Sequence, residues 1–191
     1  LSREEIVSQI DTVWAGQNVY YFTETDSTNI QAKRMGDQGR LTELWQQQDS
    51  RLPEKAEEEE PGSLRRIRIF ICHFFASGDR TGQSTHVDSG YGICGCNGAS
   101  ECTGLDVQIK WPNDLVINGK KICGILTEMS TEIDYINYVV IGIGINTNIE
   151  QFPEELKQTA TSLRIEAGHS IRRSHSLQQL CGGLKKHMPN S

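Results

Sequence analysis

The chain is predicted to fold from both helices and strands, on three observations. Residues 1–39 alternate between helical patterns and a β-rich run, residues 104–165 hold a succession of strand-like segments, and an Asn-Gly pair separates two of those segments. Helical and strand periods in separate stretches of one chain argue for a mixed architecture.

Taken in order, REEIVSQI reads as a helix, NVYYFTET as a strand, and NIQAKRMGDQ as a second helix ending at Gly39, a good C-cap. Between strand and helix lies DSTNIQAK. Thr28 followed three residues later by Gln31 has the capping-box spacing, in which hydroxyl and amide satisfy orphan N–H groups. The competing reading is that Ser27, Thr28 and Asn29 offer donors and acceptors to a small polar ligand at a strand end. Farther on, LDVQIKWP, NDLVI, KICGILTEM and YVVIGIGINT read as strands. The pair Asn118–Gly119 between β-rich runs is the strongest hairpin signal. VVIGIGI is almost continuously apolar with glycines, as expected of a buried strand approached closely by another backbone or a ligand.

Residues 40–103 differ. They hold QQQ, EKAEEEEPG, RRIRIFICHFF and a stretch rich in Gly, Ser and Cys, with neither helical nor strand period by our reading. The zone is too long for a structureless loop in a compact domain. An acidic run is usually a solvated face or linker.

Bulk properties bound the function. At 191 residues the chain suffices for one domain with a sizeable core. A net charge of −6 argues against general nucleic-acid binding. No apolar run approaches the ~20 residues of a membrane span, and the charged first residues do not resemble a signal. Leu1 in place of an initiator Met implies a start farther upstream. Six cysteines lack zinc-type spacing, so reduced thiols in a cytoplasm are expected.

The informative stretch is KWPNDLVINGKKICGILTE, at 110–128. Strand alternation places Lys121, Cys123 and Ile125 on one face and Ile122, Gly124 and Leu126 on the other. A single lysine is most often a solvated surface charge. Lys121 enters an apolar strand, however, which suits an ammonium aimed at a fixed anion. Gly124 lets a flat ring lie on the backbone, and the amide of Asn146, ending GIGIN, both donates and accepts.

TDSTN, KWPNDL, KKICGILTE and GIGIN, in this order and spacing, resemble the catalytic domain of the biotin protein ligases (biotin–acetyl-CoA-carboxylase ligases). The resemblance covers about residues 1–39 and 103–174. It implies an α+β fold, a mixed and mostly antiparallel sheet with helices packed on one side. It assigns Ser27, Thr28, Asn29, Lys121, Gly124 and Leu126 to biotin, with Lys121 as the catalytic lysine contacting the biotin carboxylate and the reacting phosphate. Lys110, Trp111, Asn113 and Asn146 fall to the nucleotide, and Asp114 to Mg²⁺. The implied reaction joins biotin and ATP into biotinyl-AMP, then passes biotin to a lysine of the biotin carboxyl carrier protein of acetyl-CoA carboxylase. The resemblance also leaves room for a homodimer.

The chain departs from the family in its middle. A loop of the form Q-T-x-G-x-G-R-x-G-R should separate the matching zones, and EKAEEEE stands there instead. Synonymous codons for residues 50–62, read from each third base, permit Q-T-A-G-K-G-R-R-G-R-A-W. We therefore expect one domain over residues 1–174 with a frameshifted insert at about 40–102. Residues 175–191 form an atypical tail where a small β domain is expected. The winged-helix domain of some members is not seen ahead of Leu1, so no DNA binding is expected. Two alternatives stand beside the ligase: a non-catalytic relic keeping part of a biotin pocket or carrier-docking surface, and a lipoate ligase, which KWPND and GIGIN disfavour.

Overall fold

A computed structural model of the chain describes residues 19–22, 27–38, 43–48, 68–75, 96–101, 103–132, 136–172 and 175–176, with Glu4 and Ser8. The strands are β1 (Val19–Phe22), β2 (Glu43–Gln48), β3 (Arg68–Phe75), β4 (Gln108–Lys110), β5 (Asp114–Ile117), β6 (Lys120–Thr131) and β7 (Ile136–Asn146). They form one sheet in the order β1-β2-β3-β7-β6-β5-β4. The β1–β2 pair is parallel and the other pairs are antiparallel, as the α+β class requires. Helix α1 (Thr28–Gly36) lies against β2, β3 and β7. Residues 96–101 form α2, and Leu163–Ala167 form α3.

The predicted hairpin is present. Asn118 and Gly119 have φ of 51° and 75°, the two positive values that a type I′ turn demands. It joins β5 to β6, the latter pairing along β7 from Cys123 to Thr131. Alternation along β6 and β7 sorts the two faces. Cys123 and Ile125 stand beside Ile145 and Ile143 on one face, all of them buried. The other face carries Gly124 and Leu126 beside Gly144 and Gly142. On that second face Tyr138 and Val140 pack with Ala32 of α1, flanked by Tyr20, Phe22 and Met35. Full burial of an Ile or Leu side chain contributes about 1.5–3 kcal/mol, and Leu115, Ile122, Ile141, Ile143, Ile149 and Leu163 are all in that state.

Several expectations need correction. Lys121 does not share a face with Cys123 and Ile125. A bulge sets in where Leu115 pairs with Cys123 but Val116 pairs with Lys121, so Ile122 is the extra residue and the alternation slips by one. Helix α1 begins with Ser27 as its N-cap, whose side chain makes no capping bond, so Thr28 is already helical. The helix ends at Gly36, with Asp37 as its C-cap; Gly39 lies outside the described residues. The middle zone is not without elements. β2, β3 and α2 all fall inside it, and β3 is paired on both edges, to β2 and β7. The acidic run at 57–60 lies outside the described residues.

Candidate functional site

Glycines on the second face of the sheet leave a floor without side chains. Above it opens a cavity of 470 Å³, walled by the start of α1, by Asn113, by Lys121 and by the segment around Phe152 to Ala160. Gly142 and Gly144 of β7 and Gly124 of β6 form that floor. At Gly142 a methyl group would lie 2.1 Å from the Asn29 Oδ1 atom, so only glycine lets α1 settle this close. Gly36 plays the same part under the Tyr138 ring, where a Cβ would meet ring carbons at 2.8 Å.

Lys121 reaches this face because of the bulge. Its backbone stays paired with Val116 of β5 and bridges the later segment at Ala160 as well. Its N–H donates to the Thr159 carbonyl (2.8 Å), and its own carbonyl accepts from the Thr161 N–H (2.9 Å). The side chain then crosses over Gly124, where a Cβ would lie 3.1 Å from Nζ. The ammonium meets Asp114 Oδ1 at 2.5 Å, as an ion pair without the alignment of a hydrogen bond. A cation is thereby held at the cavity wall, with nearly half of its side chain exposed.

The other end is built by α1. Asn29 Nδ2 donates to Glu128 Oε2 at 2.8 Å, and Lys33 pairs with the second oxygen of the same carboxylate. Burial acts to raise the Glu128 carboxyl, but hydrogen bonds from Lys33 and Asn29, with the Lys33 charge, hold it below the usual carboxylate range. Burial pushes the Cys123 thiol up to about 12, with Lys121 lowering and Asp114 raising it, so this lining residue is a protonated thiol and not a nucleophile.

The predicted site residues divide into two groups. Ser27, Thr28, Asn29, Asn113, Lys121, Gly124, Leu126 and Asn146 all meet at the cavity. Lys110 and Trp111 do not line it. Lys110 lies at the end of edge strand β4, and Trp111 is 87% exposed in the turn after it. Two amides are partly spent on the scaffold: Asn113 Nδ2 donates to the Ile125 carbonyl at 2.9 Å, and Asn146 Nδ2 to the Thr161 carbonyl at 3.1 Å. Asp114 does not fit a resident Mg²⁺. Its carboxylate already faces the Lys121 ammonium, and no cluster of three metal-binding side chains occurs among the described residues. Phe152, Leu156 and Ala160 went unnoticed in the sequence because a wall contributed by a loop carries no periodic signal. Glu128 was also passed over, although it sits in the quoted KKICGILTE motif.

Residues 75–146 match the model of the biotin/lipoate A/B protein ligase family. The bifunctional ligase/repressor BirA of Bacillus subtilis is 52% identical over 85 residues, covering 44% of this chain and 26% of that protein. The biotin–[acetyl-CoA-carboxylase] ligase of Mycobacterium tuberculosis is 44% identical over 58 residues, 30% of this chain and 19% of that protein. The chain thus spans about a quarter or less of the length of these relatives. Among solved structures, the R40G mutant of the Aquifex aeolicus biotin protein ligase, in complex with biotin, superposes with a TM-score of 0.71. It is 23% identical, over 90% of this chain and 70% of that one. The Leishmania major biotin protein ligase, solved with biotinyl-5-AMP, gives 0.63 at 19% identity, over 88% and 73%.

Sheet order, glycine floor and matched segment together resemble the catalytic domain of the biotin/lipoate A/B protein ligase family. The relatives matched within that class are biotin protein ligases, and the fold is the one their solved structures share.

Proposed function

We propose that this domain activates biotin with ATP as biotinyl-AMP and delivers it to a lysine of a biotin carboxyl carrier protein. The observation that carries the reading is the Lys121 ammonium, set by a bulge at the wall of a glycine-floored cavity. The first step brings a carboxylate against the α-phosphate of ATP, so two anions must approach. The ammonium offsets that repulsion and stabilises the charge that builds as the carboxylate oxygen attacks and pyrophosphate leaves. Asp114, paired with Lys121, keeps the ammonium pointed at the cavity before substrate arrives. Gly124 and Gly144 let the near-planar ureido ring of biotin lie against the backbone, and Leu126 and Phe152 supply apolar contact. In the second step the carrier lysine attacks the mixed anhydride and AMP leaves. The carrier is that of acetyl-CoA carboxylase by analogy with the named relatives, and the compartment is the cytoplasm.

In a chain whose frame is restored over residues 40–102, Lys121→Ala should lower the rate of biotinyl-AMP formation by at least about a hundredfold. That corresponds to roughly 3 kcal/mol of lost transition-state stabilisation. Pyrophosphate release with biotin and ATP measures it. Activity within a few-fold of the parent would rule out the assignment. A second reading, a relic that binds biotin without adenylation, is favoured by EKAEEEE standing where a loop of glycines and arginines is expected.

A further inference from the structure

The positive φ of Asn118 accounts for its backbone in the β5–β6 turn and leaves the role of its side chain open. Its Nδ2 donates to Glu166 Oε2 of α3 at 3.1 Å, across 48 residues of chain. The other oxygen, Oε1, accepts from Thr161 Oγ1 at 2.6 Å. Thr161 is buried, and its N–H is the one that donates to the Lys121 carbonyl. These bonds close a ring, from Lys121 through Thr161 and Glu166 to Asn118 and back along the hairpin. Glu166 itself does not line the cavity, and the reaction proposed above does not use it.

Helix α3 gives that carboxylate a firm base. Leu163 is buried, the Arg164 N–H donates to the Thr147 carbonyl at 2.8 Å, and Ser162 Oγ donates to the Ile149 carbonyl at 2.6 Å. The hairpin tip needs such a base. β6 pairs with β7 from Cys123 onward, so Lys121 lies beyond that support, on the turn side of the bulge. A bulge that relaxed into regular pairing would carry Lys121 to the opposite face, because a one-residue slip reverses every side chain. We infer that Glu166 is a positioning residue, which acts through Thr161 and Asn118 to hold the bulged hairpin in register and so keep the Lys121 ammonium where it meets a ligand carboxylate. The inference rests on the proposed biotin site, which supplies that carboxylate.

Biotin and its methyl ester share every ring contact and differ in the charge that Lys121 meets, so the ratio of their affinities reports on the ammonium. The test measures both ligands by calorimetry, with thermal unfolding to confirm each fold. The chains compared are the parent, Glu166→Ala, Thr161→Val, Lys121→Ala and the Lys121→Ala/Glu166→Ala double variant. The parent should prefer biotin. Loss of two hydrogen bonds in Glu166→Ala should narrow that preference roughly fivefold. Thr161→Val breaks the same ring with the carboxylate still in place, and should narrow it too. In the Lys121→Ala background, Glu166→Ala should change the ratio no further. By charge alone, removing an anion strengthens the binding of an anionic ligand. An unchanged or wider preference in Glu166→Ala would therefore overturn the positioning role. Equal weakening of both ligands would also overturn it, marking Glu166 as a support of the fold and leaving the functional reading intact. Absence of biotin binding by the parent would overturn the functional reading and this inference with it.

Discussion

Single residues carry opposite electrostatic duties at the two ends of one cavity. At one end Lys121 offers a cation held by one carboxylate; at the other Glu128 is an anion held by a cation and an amide. Glu128 also links pH to stability. Its carboxyl is held lower in the folded chain than in the unfolded one. Its contribution is therefore complete above the ordinary carboxylate range and is lost as pH falls through the lowered folded value. Thermal unfolding followed from neutral pH downward should show a shallower acid-side fall in Tm for Glu128→Gln than for the parent. Parallel curves would remove Glu128 from the groups responsible. The thiol of Cys123 takes no part in this, since burial keeps it protonated through the same range.

At the scale of elements, the decisive event is how closely α1 seats on β7. Gly142→Ala would force a methyl group to within 2.1 Å of the Asn29 oxygen, and the Glu128 bond keeps Asn29 from swinging aside. We expect a loss of about 1–3 kcal/mol by denaturant unfolding, together with weaker biotin binding. Gly124→Ala differs, because its new methyl group would press on the flexible end of Lys121, at 3.0 Å, and meet Asp114 Oδ1 only at ordinary contact distance, 3.7 Å. It should leave stability nearly unchanged while displacing the ammonium. Equal destabilisation by the two would contradict this geometry. Much at this scale was legible in the sequence. The hairpin followed from Asn118–Gly119, and β5, β6 and β7 from alternating or apolar runs. The bulge was not legible, because no residue type marks Ile122 as unpaired; backbone bonds from Thr159 and Thr161 to Lys121 accompany it. β3 escaped because RIFICHFF is an apolar run without a clean period, and its hydrogen bonds to strands on both sides give it a place. The sequence places the cap at Thr28 and the ligand site at Ser27, Thr28 and Asn29; the cap position belongs instead to Ser27, and all three line the cavity.

For the molecule as a whole, charge is the open issue. A net charge of −6 and the Glu57–Glu60 run would oppose both a triphosphate and a carboxylate. We propose that the frame is shifted over about residues 40–102, although the family-model match spans residues 75–146 and so takes in the last part of that zone. The chain as written should fail to move biotin onto a carrier protein with ATP and Mg²⁺, and restoring the frame should rescue transfer. One assay of labelled biotin on the carrier compares the two. Equal turnover would show that a loop of glycines and arginines is dispensable here. The nucleotide sequence between the codons for Gly39 and Gly104 gives an independent check. No helix among the described residues is long and apolar enough to cross a membrane.

The bonds between Lys121 and the segment from Thr159 to Thr161 have a consequence for the order of synthesis. A ribosome delivers the hairpin at Asn118–Gly119 first, and that hairpin can close as soon as β6 has emerged. Lys121 then has its bulge and its Asp114 partner, but the groups that bond its backbone N–H and carbonyl are still to be translated. A nascent chain therefore passes through a stage in which the glycine floor can form while the Lys121 backbone still lacks its later partners, and only the arrival of Thr161 ends it.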